Sequence, residues 1–182
     1  KKVMAYCDNE EKTYNPFQLK YLGKESSDIA IKAFSSSEFF IAIGDNFIRE
    51  KVYISLHTLG LLPSNAIHPS AVIDSSVTIA KNGVMIAANA TINPLAAIGT
   101  GAICNTGCII EHECKIGNFA HIAPGAVVCG AVSIGEKTFV GANAVIKQGI
   151  TVGNNVTIGA GAVVVKNIPD NVTVVGTPAR TK

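Results

Sequence analysis

The sequence predicts a mainly β protein in which a long coil of short strands follows a small α/β segment. Three observations carry this prediction. From Ile86 to Val164 every sixth residue is apolar, glycine follows an apolar residue at intervals of eighteen, and the first 65 residues lack both periods. We therefore expect an α/β domain over residues 1–65 and a coiled β domain with a C-terminal tail over residues 66–182.

The six-residue period defines two inward positions in each repeat. The fourth residue after each apolar position is small or β-branched, which gives the second position. A helix repeats about every 3.6 residues and a strand about every two, whereas a β-chain that turns a corner every six residues gives this pattern. The apolar positions are residues 86, 92, 98, 104, 110, 116, 122, 128, 134, 140, 146, 152, 158 and 164.

Glycine spacing groups three repeats into one coil. Ile or Val precedes Gly at positions 98, 116, 134 and 152, and again at 140 and 158, with eighteen residues between neighbours in each series. Earlier repeats at positions 67, 73 and 79 share the phase until one extra residue near Gly83 shifts it. We expect about five and a half coils over residues 67–166, with residues eighteen apart stacked at the ~4.8 Å spacing of paired strands.

The first 65 residues show an α/β pattern. Residues 3–7 form an apolar run followed by Asp8 and Asn9, and residues 39–43 form another followed by Gly44. Apolar residues at 48, 52, 56 and 59 indicate a helix that Gly60 ends. Two parallel strands that finish in polar or permissive residues predict a crevice where small ligands bind. The alternative is that these are turn residues and nothing more.

Composition narrows the partners and the compartment. The net charge of +2 comes from 15 basic and 13 acidic residues without runs, so we expect no nucleic-acid binding. No apolar stretch approaches the roughly 20 residues that span a bilayer, so we expect no membrane span. Cys104, Cys108 and Cys114 occupy inward positions, which indicates buried reduced thiols, a cytoplasmic protein and no metal site.

Two histidines of the coil, His112 and His121, are candidates for a reaction centre. His112 lies eighteen residues before Gly130, so we expect its imidazole beneath a backbone amide that no side chain covers. Glu113 flanks it and Asn105 lies about one repeat earlier. An imidazole beside a carboxylate and a bare amide donor is equipped for general-base acyl transfer, provided that the chain bends there. The alternative for His112 is a surface histidine on a turn.

The spacing of the two histidines bears on the oligomeric state. His121 lies nine residues after His112, which is half a coil away, so the imidazoles cannot meet within one chain. A site that uses both requires a second copy alongside, and threefold closure of a triangular prism supplies it. We expect a homotrimer with sites between subunits; the alternative is that His121 is an interface histidine alone.

Three stretches carry a family resemblance: FFIAIGDNFIREKVY (39–53), NTGCIIEHECKIGNFAHIAPGA (105–126) and VGTPAR (175–180). With them the chain resembles the sialic-acid O-acetyltransferase-like group of hexapeptide acyltransferases, and within it bacterial UDP-4-amino-sugar N-acetyltransferases of bacillosamine synthesis. The resemblance implies a left-handed parallel β-helix, against the usual right-handed crossover rule. It also implies a preceding Rossmann-like domain that looks truncated, because the family's opening strand and glycine-rich loop are absent from this sequence.

The resemblance further implies a direct acetyl transfer from acetyl-CoA to a sugar amine, without a covalent acyl-enzyme or a metal. His112 would be the general base, with Glu113 as its partner. The residues that would contact acetyl-CoA are His121, Gly130, Ala142 and Ala160. The residues that would bind a UDP-amino-sugar are Asp8, Asn9, Gly44 and Asn105.

Three alternatives remain open at this point. The same histidine could activate a hydroxyl, which would give O-acetylation of a sialic-acid-type sugar. A zinc-dependent hydratase of the γ-carbonic-anhydrase kind would need three converging histidines, and the required H-x4-H pair is missing. A β-helical assembly module would have no enzymatic activity.

Overall fold

The computed structural model describes residues 2–182, most of which form a left-handed parallel β-helix. A smaller N-terminal unit packs against it. In that unit β1 (Ala5–Tyr6) pairs in parallel with β2 (Lys20–Tyr21), and α1 (Asp28–Ser36) and α2 (Asn46–Thr58) follow. The fold class that the six-residue period and the resemblance predicted is confirmed.

The β-helix is built from short strands that alternate with corners. Its strands are β3 (Ala66–Ile67), β4 (Val72–Ile73), β5 (Thr78–Ile79), β6 (Met85–Ile86), β7 (Thr91–Ile92), β8 (Ala97–Ile98), β9 (Ile103–Cys104), β10 (Ile109–Ile110), β11 (Lys115–Ile116), β12 (His121–Ile122), β13 (Val127–Val128), β14 (Ser133–Ile134), β15 (Phe139–Val140), β16 (Val145–Ile146), β17 (Thr151–Val152), β18 (Thr157–Ile158), β19 (Val163–Val164), β20 (Thr173–Val175) and β21 (Arg180–Thr181). Every third strand from β3 to β19 falls on the same wall, which makes three walls. β20 extends one wall in parallel beside β18, and β21 pairs antiparallel with β20.

Strand register confirms the eighteen-residue coil. Ile109 of β10 pairs with Val127 of β13, and the same interval holds for the paired strands from β6 to β19. Ile67 pairs instead with Ile86, one residue further on, so the predicted extra residue lies between β5 and β6. The predicted apolar positions from 86 to 164 expose 3% of their surface or less, so they form the core.

The eighteen-residue glycine series marks places where successive coils approach closely. A Cβ on Gly117 would lie 2.7 Å from the backbone nitrogen of Glu136 in the next coil, which no side chain could tolerate. From Gly83 onward each corner also contains a residue with positive φ, and several of these are glycines. Glu113 and Ala131 adopt this conformation without being glycine, with φ of 60° and 56°.

The N-terminal unit departs from the sequence interpretation. Residues 39–43, predicted as a strand, form none in the described structure. The Phe39 carbonyl accepts from the Ser64 N–H at 2.8 Å and the Ile43 carbonyl from the Arg49 guanidinium at 2.9 Å, so these groups are not available to a sheet ladder. Asp8 and Gly44 therefore do not end neighbouring strands, and the predicted crevice between two strand ends is wrong. Helix α1 was not predicted.

Helix α2 confirms the predicted helix with earlier bounds. Asp45 caps it by accepting a hydrogen bond from the Ile48 N–H at 2.8 Å, and Gly60, with φ of 74°, follows its C-terminal cap. The buried face differs in part from the apolar positions that indicated the helix, because Ile48 is 54% exposed whereas Arg49 is 1% exposed. Leu56, one of the predicted apolar positions, is 2% exposed, so a charged and an aliphatic side chain are buried together on this helix.

The cysteines and helices bear on the remaining expectations about composition. Cys104, Cys108 and Cys114 are buried as predicted, and all five cysteines are free thiols. Within residues 2–182, neither helix combines the length and apolar character that a membrane crossing requires.

Candidate active site

His112 stands at the corner where the chain passes from β10 to β11. The left-handed backbone of Glu113 turns its carboxylate back, so that His112 Nδ1 lies 3.1 Å from Glu113 Oε2. The bend that the sequence interpretation required is therefore present. An Nδ1–H that donates to this carboxylate leaves Nε2 unprotonated in the neutral ring. Both side chains are more than half exposed.

Gly130 lies one coil above His112, as the eighteen-residue rule predicted. A Cβ on Gly130 would lie 2.5 Å from His112 Nε2, so only glycine lets the imidazole approach this peptide. The corner is fixed by two backbone bonds: Ala131 N–H donates to the His112 carbonyl at 2.8 Å, and Gly149 N–H donates to the Gly130 carbonyl at 2.9 Å. Within residues 2–182, the Gly130 N–H donates to no backbone acceptor.

A cavity of about 320 Å³ opens at this edge of the prism. It is lined by His112, Gly130, Ala131, Gln148 and Gly149. The sequence interpretation missed Gln148, although this residue lies eighteen positions after Gly130 and the stacking rule places it in the same column. The cavity therefore contains a proton acceptor, a bare amide and a side-chain amide.

His121 lies on β12, on the wall opposite the edge that carries His112. Its Nε2 is 3.1 Å from Asn105 Nδ2, and its Nδ1 is 3.4 Å from the Gly44 carbonyl oxygen. Because the Asn105 amide donates to Nε2, the neutral ring carries its proton on Nδ1 and donates it to Gly44. Burial lowers the pKa of His121, and the hydrogen bond to Gly44 opposes this change.

Asn105, Ala142 and Ala160 share a second edge of the prism, formed by the corners 105–108, 123–126, 141–144 and 159–162. We call it the Asn105 edge. Gly161 N–H donates to the Ala142 carbonyl at 2.8 Å, which stacks the last two corners directly. The small side chains of Ala142 and Ala160 are partly or fully exposed along this edge. The predicted acetyl-CoA contacts therefore divide between this edge, its adjoining His121, and the separate edge with His112 and Gly130.

Asp8 and Asn9 lie beyond β1 in the N-terminal unit. Asp8 Oδ2 is 3.2 Å from Lys12 Nζ, and Asp8 Oδ1 accepts from the Asn9 N–H at 2.7 Å. The Asn9 amide and then Lys12 lower the pKa of Asp8. No hydrogen bond or ion pair recorded for residues 2–182 joins Asp8 or Asn9 to Gly44. The structure thus brings Gly44, Asn105 and His121 together, and leaves Asp8 and Asn9 in another cluster.

A second cavity, of about 200 Å³, lies beside that cluster. Tyr14 and Phe17, which are 83% and 82% exposed, belong to its rim. No sequence signal pointed to it, because the loop has neither a period nor a motif. Its lining is Tyr6, Lys12, Tyr14, Asn15, Pro16, Phe17 and Leu19.

Comparison with known proteins finds relatives for both parts of the chain. Residues 1–56 match the PglD N-terminal domain, and residues 131–166 match the hexapeptide repeat of succinyl-transferase. A structure of a His-to-Asn point mutant of perosamine N-acetyltransferase from Caulobacter crescentus, in complex with CoA and GDP-perosamine, superposes with a TM-score of 0.84 at 38% identity, over 90% of this chain and 78% of that one. The chain belongs to the hexapeptide-repeat sugar N-acetyltransferases.

Other members of the sugar N-acetyltransferase family extend the comparison. The acetyltransferase domain of PglB from Neisseria gonorrhoeae FA1090, in complex with acetyl coenzyme A, has a TM-score of 0.87 at 31% identity, over 98% of this chain and 85% of that one. GDP-perosamine N-acetyltransferase of Escherichia coli O157:H7 is 35% identical over 108 residues. Those residues are 59% of this chain and 48% of that protein, so the match spans about half of its length.

No cluster of three or more side chains that could bind a metal occurs within residues 2–182 of this chain. The first cavity is lined instead by one imidazole, one side-chain amide and backbone groups.

The lowered pKa of His121 predicts a pH-dependent stability. Unfolded His121 binds a proton as the pH falls below about 6.5, whereas the folded imidazole resists protonation. The free energy of unfolding should therefore decrease from about pH 6.5 downward, until the lower folded pKa is passed. Urea unfolding at pH 7.5 and pH 5.5 measures this effect. The decrease in the free energy of unfolding between the two pH values should be smaller for His121→Gln than for the unmodified chain.

A matched control for this prediction is His68→Gln. His68 is exposed and bonds only locally, to Ser70, so its replacement should leave the pH dependence unchanged. An equal loss of stability in His121→Gln and in the unmodified chain would contradict the prediction.

Proposed function

We propose that this protein transfers the acetyl group of acetyl-CoA to the 4-amino group of a nucleotide-linked amino-dideoxy sugar, with a UDP-sugar as the expected acceptor. The observation that carries the proposal is the His112 imidazole, held by Glu113 and lying beneath the bare Gly130 amide in an open cavity. The CoA complexes of the related perosamine and PglB acetyltransferases support the same donor.

The proposed mechanism is a direct transfer in a ternary complex. His112 Nε2 accepts a proton from the sugar amine as the nitrogen attacks the thioester carbonyl. The Gly130 N–H donates to the oxygen that becomes negative in the tetrahedral intermediate. Collapse of that intermediate breaks the carbon–sulfur bond, and the imidazolium returns the proton to the departing CoA thiolate. Glu113 stabilises the imidazolium between these two steps.

The proposed site is complete only between subunits. The cavity with His112 and Gly130 lies at one edge of the prism, whereas Asn105, Ala142 and Ala160 lie along another. In a threefold arrangement the His112 edge of one protomer faces the Asn105 edge of the next. A channel between these edges would accept the pantetheine arm past small alanine side chains.

This arrangement predicts a homotrimer in solution. Multi-angle light scattering of the unmodified protein should give the mass of three chains, and dilution should reduce activity together with trimer content. A monomer with full specific activity would contradict the shared site.

The N-terminal unit, residues 2–65, is proposed to hold the nucleotide-sugar, and residues 66–182 to carry the transferase chemistry. The aromatic rings of Tyr14 and Phe17, at the rim of the second cavity, could stack on a nucleobase. The Lys12 ammonium group could bind a phosphate. Asp8 and Asn9 would supply further polar contacts beside this cavity. Gly44 and Asn105 would meet the sugar nearer to His121. The free thiols fit the reducing cytoplasm as the working compartment.

One acceptor panel tests the activity and the substrate class together. The assay measures CoA release from acetyl-CoA with UDP-4-amino sugars, GDP-perosamine, UDP-sugars that lack the amine, and free sialic acid. We expect turnover only with the 4-amino sugars, and faster turnover with UDP than with GDP. Turnover of sialic acid alone would establish O-acetylation instead. Failure of every acceptor, with no shift in melting temperature on adding acetyl-CoA, would favour an assembly module.

A further inference from the structure

A buried thiol contacts the same peptide unit that presents the Gly130 N–H to the cavity. Cys114 is 0% exposed, and its Sγ lies 3.1 Å from the Cys129 carbonyl oxygen. The Cys129 carbonyl and the Gly130 N–H are the two ends of one planar amide. We infer that Cys114 is a positioning residue for the proposed acyl transfer: its S–H donates to this carbonyl, fixes the peptide and polarises the N–H that faces the oxyanion.

The thiol takes the place of a backbone donor at this corner. At the corner 123–126 the Ala126 N–H donates to the Ala123 carbonyl at 3.2 Å, and other corners repeat this turn bond. Among the backbone bonds of residues 2–182, none reaches the Cys129 carbonyl. The Cys114 side chain, rising from the coil below, supplies the hydrogen bond that this carbonyl would otherwise lack.

Thr138 makes the corresponding contact elsewhere in the coil. Its Oγ1 donates to the Gly153 carbonyl at 2.7 Å and accepts from the Val156 N–H at 3.0 Å. Thr138 occupies the same repeat position as Cys114, and both reach a carbonyl fifteen residues further on. A threonine hydroxyl can therefore make this bond in the same backbone frame. The Thr138 corner lies on a different edge from His112.

The state of the thiol and the chemistry of the amide agree with a donor role. Burial raises the pKa of Cys114, while the Val132 backbone amide opposes the rise, so the thiol keeps its proton at neutral pH. A hydrogen bond to an amide oxygen strengthens the donor at the nitrogen, by roughly 10–30% for each added bond. Because the oxyanion exists only in the transition state and the intermediate, this polarisation should act on kcat more than on KM.

The test compares two replacements of similar shape. Cys114→Thr keeps a donor, as Thr138 does, whereas Cys114→Val replaces it with a methyl group. With acetyl-CoA and the acceptor of the panel that turns over fastest, we expect Cys114→Val to lower kcat roughly 3- to 10-fold, a fraction of the loss of a whole oxyanion donor. The KM for acetyl-CoA should change less than about twofold, and Cys114→Thr should stay within about twofold of the unmodified chain.

Thr138→Val is the matched control. It removes the same kind of bond at a corner away from the cavity, so it should lower the melting temperature without lowering kcat. If a β-branched residue prevents folding at position 114, the smaller pair Cys114→Ser and Cys114→Ala makes the same comparison.

The outcomes separate this inference from the function on which it rests. Equal kcat values for Cys114→Val and Cys114→Thr, or an equal loss in Thr138→Val, would overturn the role of the thiol alone. The proposed function fails on other results: no turnover with any 4-amino sugar, or undiminished turnover in His112→Ala. A kcat loss confined to Cys114→Val, in a protein that passes both of those tests, supports the inference.

Discussion

Replacing His112 with alanine should lower acetyl transfer by about 100-fold or more, the usual scale for losing a general base. Without the imidazole, the proton of the attacking amine loses the acceptor that lies beneath the Gly130 amide. The side chain is 58% exposed, and its hydrogen bond among residues 2–182 is to Glu113, so its removal should leave the oligomeric state and the melting temperature nearly unchanged. Steady-state CoA release, with light scattering on the same sample, measures both effects.

His68→Ala is the control for this replacement. His68 is also an exposed histidine of the coil, and it bonds to Ser70 Oγ at 2.8 Å, outside either cavity. It should retain the unmodified rate. Near-normal turnover in His112→Ala would remove this residue from the mechanism.

The coil could be predicted from sequence because close stacking of backbones leaves a periodic record. Gly117 must lack a side chain where the next coil crosses it, and Ile116 must fill the interior beside it. Both constraints recur at every coil, so the period survives variation at outward positions. The same rule placed Gly130 over His112, and it also identified the one-residue shift near Gly83.

The N-terminal unit could not be predicted as well, because no repeat constrains it. Residues 39–43 are apolar enough to form a strand, and nothing local shows that Arg49 binds the Ile43 carbonyl or that Ser64 binds the Phe39 carbonyl. Such bonds depend on where the helix meets the coil, which is a tertiary property. A lone arginine within an otherwise amphipathic helix gives no sequence signal of burial.

Within the candidate site, the sequence identified residue types but not every contact. Cys114 was interpreted as packing material because it occupies an inward position, and its burial is confirmed. Its bond to the Cys129 carbonyl depends on a corner that opens enough to admit sulfur, and the repeat pattern does not specify that opening. A thiol at this repeat position, two residues after a candidate base, was nevertheless visible in the sequence.

The second large effect is expected from Arg49, which docks α2 onto the coil. Its Nε donates to the Gly101 carbonyl at 2.8 Å, and its remaining nitrogens donate to other acceptors within 3.0 Å. Those acceptors are Ile43 O, Gly44 O, Asn46 Oδ1 and Phe119 O. None of the salt bridges among residues 2–182 involves Arg49. Desolvation lowers the pKa of Arg49 to about 10, and the charge of Asp45 opposes the change. The charge is thus stabilised by peptide dipoles from both units.

Arg49→Met should therefore destabilise the protein by about 3 kcal/mol or more, because it leaves several buried carbonyls without a donor. For a chain of this length that corresponds to a melting temperature lower by roughly 6–12 °C, measurable by calorimetry. Lys51→Met on the same helix is the control, since Lys51 is exposed and should tolerate the change. Loss of Arg49 also frees the Gly44 carbonyl that orients His121. The rate of acetyl transfer should therefore decrease even at temperatures at which the variant is still folded. Equal melting temperatures for the two variants would show that Arg49 does not hold the units together.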